Sequence, residues 1–266
     1  MDDGTGQAID LVVPLGSGST HGDLELRYLL RSAEKHFAAL GKVWIVGECP
    51  EWLDTAQARH IAMPDAHADN KDANLIEKIL RVCAEPELSG EFVRASDDQV
   101  FWAPVVAGDL LPVRGERLAA HTWKWFLQDR WHKRMLNTVR ALAGAGIADA
   151  RNFDTHMPVL YSKTLFARVM ETFAPEWRVP PGCCVNTLYF NEAQQDRFNA
   201  RGYGELKVSF EDSVLCMLPH EVRQQIKAAG PDVRFLGYNE TGFSDGLREV
   251  LERAFPNPSK YERHGR

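Results

Sequence analysis

An apolar run from Ile9 to Val13 stops at Pro14 and gives way to Gly16, Ser17, Gly18 and Ser19, and this junction restricts the fold more than any other part of the chain. A short apolar run bounded by turn residues reads as a buried strand feeding a glycine-bearing loop. Asp23 then stands where a helix cap belongs. Leu26, Leu29, Leu30, Ala33, Phe37 and Leu40 recur at helical spacing, with Gly41 placed to end the helix. Val43 to Val46 supplies a second strand. Strand, loop, helix and strand within about forty residues is the grammar of an open, mostly parallel α/β sheet flanked by helices.

The grammar repeats. Arg59 to Ala62 fits a third strand, Asn74 to Val82 a helix carrying Leu75, Ile76, Ile79 and Leu80, and Glu91 to Ala95 a fourth strand that runs into Ser96, Asp97 and Asp98. In open α/β sheets ligands gather beyond the carboxyl ends of the strands, so the Asp pair falls where chemistry is expected. Beyond Pro112 the pattern changes to a long helical stretch from about Thr122 to Leu142, a break at Gly144 and Gly146, and mixed short elements. A last amphipathic helix with Leu247, Val250, Leu251 and Phe255 stops at Pro256, and the polar tail from Pro258 is expected to fray. The second half reads as a helical and mixed addition to the first.

Of the 266 residues, 44% are hydrophobic and 26% charged, the balance of a soluble globular protein. No run approaches the roughly 18 apolar residues of a membrane span, and the opening Met1, Asp2, Asp3, Gly4 is not a secretory leader. The expectation is a cytoplasmic protein. Five cysteines, Cys49, Cys83, Cys183, Cys184 and Cys216, form no CxxC pair, so neither a disulfide framework nor a zinc knuckle follows.

Two adjacent carboxylates repel unless a cation or proton sits between them, and hard oxygen donors suit Mg²⁺ or Mn²⁺; Asp97 and Asp98 are therefore the candidate metal ligands. Cations that could meet a diphosphate lie in the first half. Arg27 and Arg31 share one face of the first helix, and Lys71 precedes the helix that carries Asn74 and Lys78. The Gly/Ser loop lacks the Lys-Ser/Thr ending of a P-loop and is too short for a dinucleotide fingerprint, which argues against an ATPase or a dehydrogenase. His156, close to Asp154, is a candidate base for an attacking hydroxyl. From His121 to Arg151 six basic residues, Lys133 and Arg134 among them, stand against two acidic ones, a local charge of +4 in a chain of −6, with Trp123, Trp125 and Trp131 interleaved. Such a stretch suits a phosphate-bearing acceptor, nucleic acid included.

The segments Leu26-Arg27-Tyr28, Leu30-Arg31-Ser32, Glu34-Lys35, Val43 to Val46 and Pro50-Glu51-Trp52-Leu53 resemble the second conserved region of the Stealth family, sugar-phosphate transferases of bacterial capsule synthesis. That region's closing strand is matched by Asp97, Asp98, Phe101, Pro104 and Val105. A third region resembles Thr155-His156-Met157-Pro158, and a fourth resembles Tyr238-Asn239-Glu240 followed by Phe255-Pro256, Pro258-Ser259 and Tyr261-Glu262. The first region departs from the family, with Val13-Pro14-Leu15-Gly16-Ser17-Gly18 in place of Thr-Trp-Val-Asp/Asn-Gly, and the fourth has Asn239-Glu240 for Asn-Asp. The chain thus resembles a compact, divergent member, similar also to glycosyltransferase-like proteins of phages.

The resemblance implies one GT-A-like, Rossmann-like catalytic domain over residues 1–266, with 1–110 as the nucleotide-sugar-binding half and 111–266 as the acceptor side. It implies a UDP-sugar donor and a divalent metal at Asp97 and Asp98. It assigns Arg27 and Asn239 to the donor and Asp98 and His156 to the catalysis, and Arg31, Lys71 and Asn74 join the donor side by their own placement in the first half. The implied reaction moves a glycosyl or sugar-1-phosphate group to an acceptor hydroxyl. Two alternatives stay open: glycosylation of hydroxymethylated pyrimidines in DNA, with the basic Trp-rich stretch as contact surface, and a catalytically silent nucleotide-sugar-binding module.

Overall fold

The computed structural model describes residues 8–118, 129–210 and 217–263. The first part of the chain forms β1 (Ile9–Leu15), α1 (Leu24–His36), β2 (Leu40–Gly47), β3 (Arg59–Ile61), α2 (Lys71–Cys83), β4 (Glu91–Arg94) and β5 (Gln99–Phe101). After a 3-10 turn at Ala107–Leu110 follow α3 (Arg130–Gly144), β6 (Val159–Ser162), α4 (Lys163–Thr172), α5 (Ala174–Trp177), α6 (Val185–Ala193), α7 (Tyr203–Leu206), β7 (Lys207–Phe210), α8 (Pro219–Ala229), β8 (Phe235–Tyr238) and α9 (Asp245–Ala254). Five strands form one sheet in the order β3-β2-β1-β4-β6, parallel except for β6 against β4. A smaller sheet, β5-β8-β7, pairs β8 antiparallel to β5 and parallel to β7. The architecture is α/β, a mostly parallel sheet flanked by helices, as the repeated strand-helix pattern predicts.

Successive side chains of a strand point to opposite faces, and β1 uses both. Leu11, Val13 and Leu15 meet Leu26, Leu29, Leu30 and Ala33 of α1, whereas Val12 turns to the layer that holds Ile76, Ile79 and Val82 of α2. Each such side chain contributes about 1.5–3 kcal/mol through burial, which is why the periodicity reads so clearly. A third cluster joins the smaller sheet to α8 and α9 through Val222, Ile226, Leu247, Val250 and Leu251. β1 continues through Pro14 to Leu15 because β4 pairs with it only as far as Val12 opposite Arg94. No neighbour on that side asks for the missing proline N–H.

Several boundaries differ from expectation. α1 ends at His36, since Phe37 leaves helical geometry, and Leu40 and Gly41 already belong to β2. Leu40 continues the helical spacing, yet it pairs with Ile9 across the sheet. Asp23 occupies the cap position at φ 57° without a cap bond from its side chain. α2 starts earlier than Asn74, at Lys71, because the Asn70 side chain accepts from Ala73 N–H. The long helix predicted from Thr122 appears as α3, capped by the Asp129 side chain at its start; Trp123, Lys124 and Trp125 lie outside the described residues. The tail does not fray at Pro258, for Ser259, Tyr261 and Glu262 are buried and Arg263 N–H bonds Trp52 O at 2.8 Å.

Residue 110 is not a boundary between layers. β6 extends the main sheet, and β5 belongs to the smaller one. Cys83, Cys183 and Cys184 are buried, and burial pushes the Cys83 and Cys183 thiols up to about 12, so they are inert at neutral pH. Cys216 lies outside the described residues. No helix among the described residues is long and apolar enough to cross a membrane.

Candidate active site

In the main sheet the order reverses at β1, which has β2 on one side and β4 on the other. Loops leaving the carboxyl ends of such strands diverge and open a crevice. Here the Gly16–Thr20 loop after β1 and Asp97-Asp98 after β4 form two walls of a cleft of about 540 Å³. Lys71, Asn74 and Lys78, one stripe along α2, form a third wall, and Tyr238, Asn239 and Glu240 after β8 the fourth.

Each wall is held by identifiable bonds. Ser19 Oγ accepts from the N–H groups of His21 and Asp23 at 3.3 and 2.9 Å and donates to Glu25 Oε2 at 3.2 Å, which folds the loop onto the start of α1. Thr20 Oγ1 donates to Glu240 Oε1 at 3.0 Å, tying the loop to the segment after β8. Asn74 spends its amide on the backbone of His67, accepting at 2.9 Å and donating at 2.9 Å, and so fixes the segment before α2. Buried Lys78 donates to Leu15 O at 2.7 Å and pairs with Asp65 at 2.6 Å. Gly47, at φ 124°, gives that Leu15 carbonyl its room, because a Cβ there would collide with it.

The cleft is acidic. Among the described residues, Glu25, Asp65, Asp97, Asp98 and Glu240 face only Lys71 and Lys78 there. Burial, reinforced by the charges of Asp98, Glu25 and Asp23, pushes Asp97 up to about 7 despite an opposing backbone hydrogen bond. The Tyr238 hydroxyl is buried with no hydrogen-bond partner, and burial beside Asp98 and Glu25 keeps it protonated. It is a donor without an acceptor in a cleft short of positive charge. Among the described residues no three His, Cys, Asp or Glu side chains converge to hold a metal on their own. Paired carboxylates with an unmet cation demand do suit Mg²⁺, which takes one or two protein carboxylates and completes its shell with phosphate oxygens and water.

Asp98 also faces a second cavity, of about 680 Å³, which it shares with Lys71. His156 stands there with Nε2 3.0 Å from Asp98 Oδ1. When Nε2 carries the proton it donates to the carboxylate, and Nδ1 becomes the basic atom. Arg94, Arg130 and Arg134 line the same cavity. Arg134 Nε lies 2.6 Å and Arg130 3.2 Å from buried Asp72, and the Trp131 indole donates to Asp154 Oδ2 at 2.7 Å.

Of the residues singled out in the sequence, the structure brings Lys71, Asn74, Asp97, Asp98 and Asn239 to one cleft and places His156 next to Asp98. Asn239 Oδ1 accepts from Gly242 N–H at 2.8 Å, which shapes the loop after β8. Arg27 and Arg31 are not in the cleft. Arg31 reaches Glu262 through Nε and Nη2, each at 2.7 Å, while Arg27 lies 3.5 Å from the same carboxylate and stacks over Trp52. Their shared helix face serves the C-terminal tail. Arg134 is likewise turned inward to Asp72, whereas Lys133 is exposed. Sequence reasoning missed Glu25, Asp65, Tyr238 and Arg94. Lys78 had a visible signal, lying seven residues after Lys71 and four after Asn74 and so on the same face of α2.

No family model and no curated protein matches the chain. Among solved structures it is similar to the apo form of WbbM, a bifunctional glycosyltransferase, at 10% identity and a TM-score of 0.50. The match covers 95% of this chain and 50% of that one, so the chain spans about half the length of that neighbour. At that identity the likeness is one of fold.

Proposed function

We propose that the protein is a transferase that takes a glycosyl or sugar-1-phosphate group from a nucleotide sugar, UDP-linked, to an acceptor hydroxyl. The observation that carries this reading is the place of Asp98, which belongs at once to the acidic cleft at the strand-order reversal and to the cavity of His156. A donor in the first and an acceptor in the second would meet at that carboxylate. The fold shared with a glycosyltransferase and the resemblance to the Stealth family point the same way.

Mg²⁺ or Mn²⁺ at Asp97 and Asp98 would supply neutralisation of the donor diphosphate, which five carboxylates would otherwise repel. Backbone N–H groups of the Gly16–Ser19 loop and the Tyr238 hydroxyl would hold phosphate and ribose oxygens, with Lys71 on the border between the two cavities. In the glycosyl route the acceptor oxygen bonds to the anomeric carbon, the bond from that carbon to the phosphate oxygen breaks, and nucleoside diphosphate leaves with the electron pair. The hydroxyl proton passes to His156, whose imidazolium Asp98 stabilises. In the sugar-phosphate route the same oxygen attacks the β-phosphorus, and the nucleoside monophosphate leaves. DNA as acceptor is the weaker reading, because Arg134 and Trp131 spend their polar groups on Asp72 and Asp154.

The test is incubation with UDP-sugars and MnCl₂, with the released nucleotide identified. Metal-dependent release that disappears in a folded Asp98→Ala variant is expected, and UDP against UMP reports the bond broken. Undiminished release by the variant, or none from any UDP-sugar, would overturn the proposal.

A further inference from the structure

The two cavities that meet at Lys71 and Asp98 carry opposite charge. Among the described residues the cleft has five carboxylates against two amines, whereas the His156 cavity has four cations, Lys71, Arg94, Arg130 and Arg134, against three carboxylates. All three of those carboxylates are engaged. Asp72 takes both Arg130 and Arg134, Asp98 is bonded to His156, and Asp154 accepts from Trp131. Lys71 and Arg94 remain, and among the described residues neither makes an ion pair.

Arg94 is the more telling of the two. The residue is 7% exposed, its Nη1 donates to Ser96 Oγ at 3.0 Å, and its Nε is buried with no hydrogen-bond partner. The neighbouring Tyr161 phenol is uncharged and donates to Asn186 Oδ1. A buried guanidinium that lacks a counter-ion is costly, and a cavity that opens onto it is a site for an anion. Trp131, 37% exposed and pinned by Asp154, offers an aromatic face on the same cavity, the kind of surface on which a sugar ring packs.

We infer that the His156 cavity takes an acidic sugar, one that carries a carboxylate or phosphate, with Arg94 and Lys71 reading the anion and Trp131 the ring. The inference rests on the transferase reading and adds the acceptor class to it. A charged group bound to Arg94 would hold the acceptor on the His156 side of Asp98, away from the carboxylates of the donor cleft. A neutral sugar would leave Arg94 without its counter-ion.

Saturation-transfer NMR on the full chain tests this with D-glucuronate, glucose-6-phosphate and glucose as probes, each with and without UDP and MnCl₂. Both acidic probes should bind at least about tenfold more tightly than glucose, and Lys71→Met should weaken them by about tenfold, the scale of one lost charge-assisted bond. The ratio of the two acidic probes separates carboxylate from phosphate recognition. Arg94→Met should weaken them further, and Lys71→Met, on the exposed start of α2, keeps the test decisive if that variant does not fold. Equal binding of glucose, unchanged binding by Lys71→Met, or displacement of the probes by a duplex oligonucleotide would each overturn the inference. UDP binding without preference among the probes overturns this inference alone, whereas acidic-probe binding without UDP binding supports it and overturns the donor reading.

Discussion

Glu262→Gln should unlock the tail from α1 and leave the candidate active site intact. Glu262 is 3% exposed and accepts from Arg31 through both oxygens at 2.7 Å, and from Ser259 N–H at 2.9 Å, with Arg27 at 3.5 Å. Removing one member of a buried pair costs about 3–5 kcal/mol because the other charge is stranded. The Arg31 side chain is 14% exposed and keeps its bond to Phe255 O at 3.1 Å, so the lower end applies, about 2–3 kcal/mol after solvent screening. In a chain of this size that lowers Tm by roughly 4–10 °C. The pH dependence has a definite sign. Burial alone would raise the Glu262 carboxyl, but the bonds from Arg31 and Ser259 and the charges of Arg31 and Arg27 outweigh it and hold the group below its ordinary value of 4.5. A depressed carboxylate contributes stability that is complete above the unfolded pKa and is lost as pH falls through the folded one. Wild-type and variant Tm, measured by calorimetry, should therefore converge on acidification below that ordinary value. UDP affinity should stay within about twofold, since none of Glu262, Arg27 and Arg31 lines the cleft. A Tm unchanged at neutral pH, or a loss of UDP affinity equal to that of a cleft variant, would refute this account and return Arg27 and Arg31 to the donor.

Three further outcomes follow from the same geometry. Replacing His156 with Ala should lower kcat by about 10²–10⁴ while UDP affinity holds, as expected of a proton acceptor; a selective loss of UDP binding in calorimetry would move the residue to donor binding. Asp97, raised to about 7 from 3.8, contributes stability that is present below 3.8 and lost as pH rises through 7, so in EDTA at about pH 8 Asp97→Asn should melt higher than wild-type and MnCl₂ should narrow the gap. Equal melting of the two in EDTA would sink the crowded-carboxylate picture. Gly47→Ala, forced to φ 124° and into the Leu15 carbonyl, should cost at least about 2 kcal/mol in urea unfolding; a neutral result would show that β1 and β2 can separate there.

What the sequence made legible was whatever local chemistry alone determines. The run Ile9 to Val13 followed by Gly16 to Ser19 could only be a strand entering a loop, and the Asp pair after Glu91 to Ala95 marked the strand end at which the cleft opens. Helical spacing tells which side chains share a face but not what the face meets. Arg27 and Arg31 point together, yet their partner Glu262 lies more than 230 residues away, so a structural pair looked like a phosphate clamp. Buried charges stay hidden for the same reason. Glu25, Arg94 and Lys78 look like surface residues until the loop after β1, the strand end and the Leu15 carbonyl are seen to enclose them. Gly41 shows the converse, a helix-ending residue by type that belongs to β2 because Phe37 has already left helical geometry.

The central claim is that the cleft between the ends of β1 and β4 binds a nucleotide diphosphate through a metal at Asp97 and Asp98. Calorimetric titration of UDP in MnCl₂ and in EDTA, on the wild-type protein and on Asp98→Asn, tests it most directly. Binding that needs the metal and falls at least about tenfold in the variant is predicted. Equal affinity in EDTA, or an Asp98→Asn variant that binds UDP as wild-type does, would contradict it.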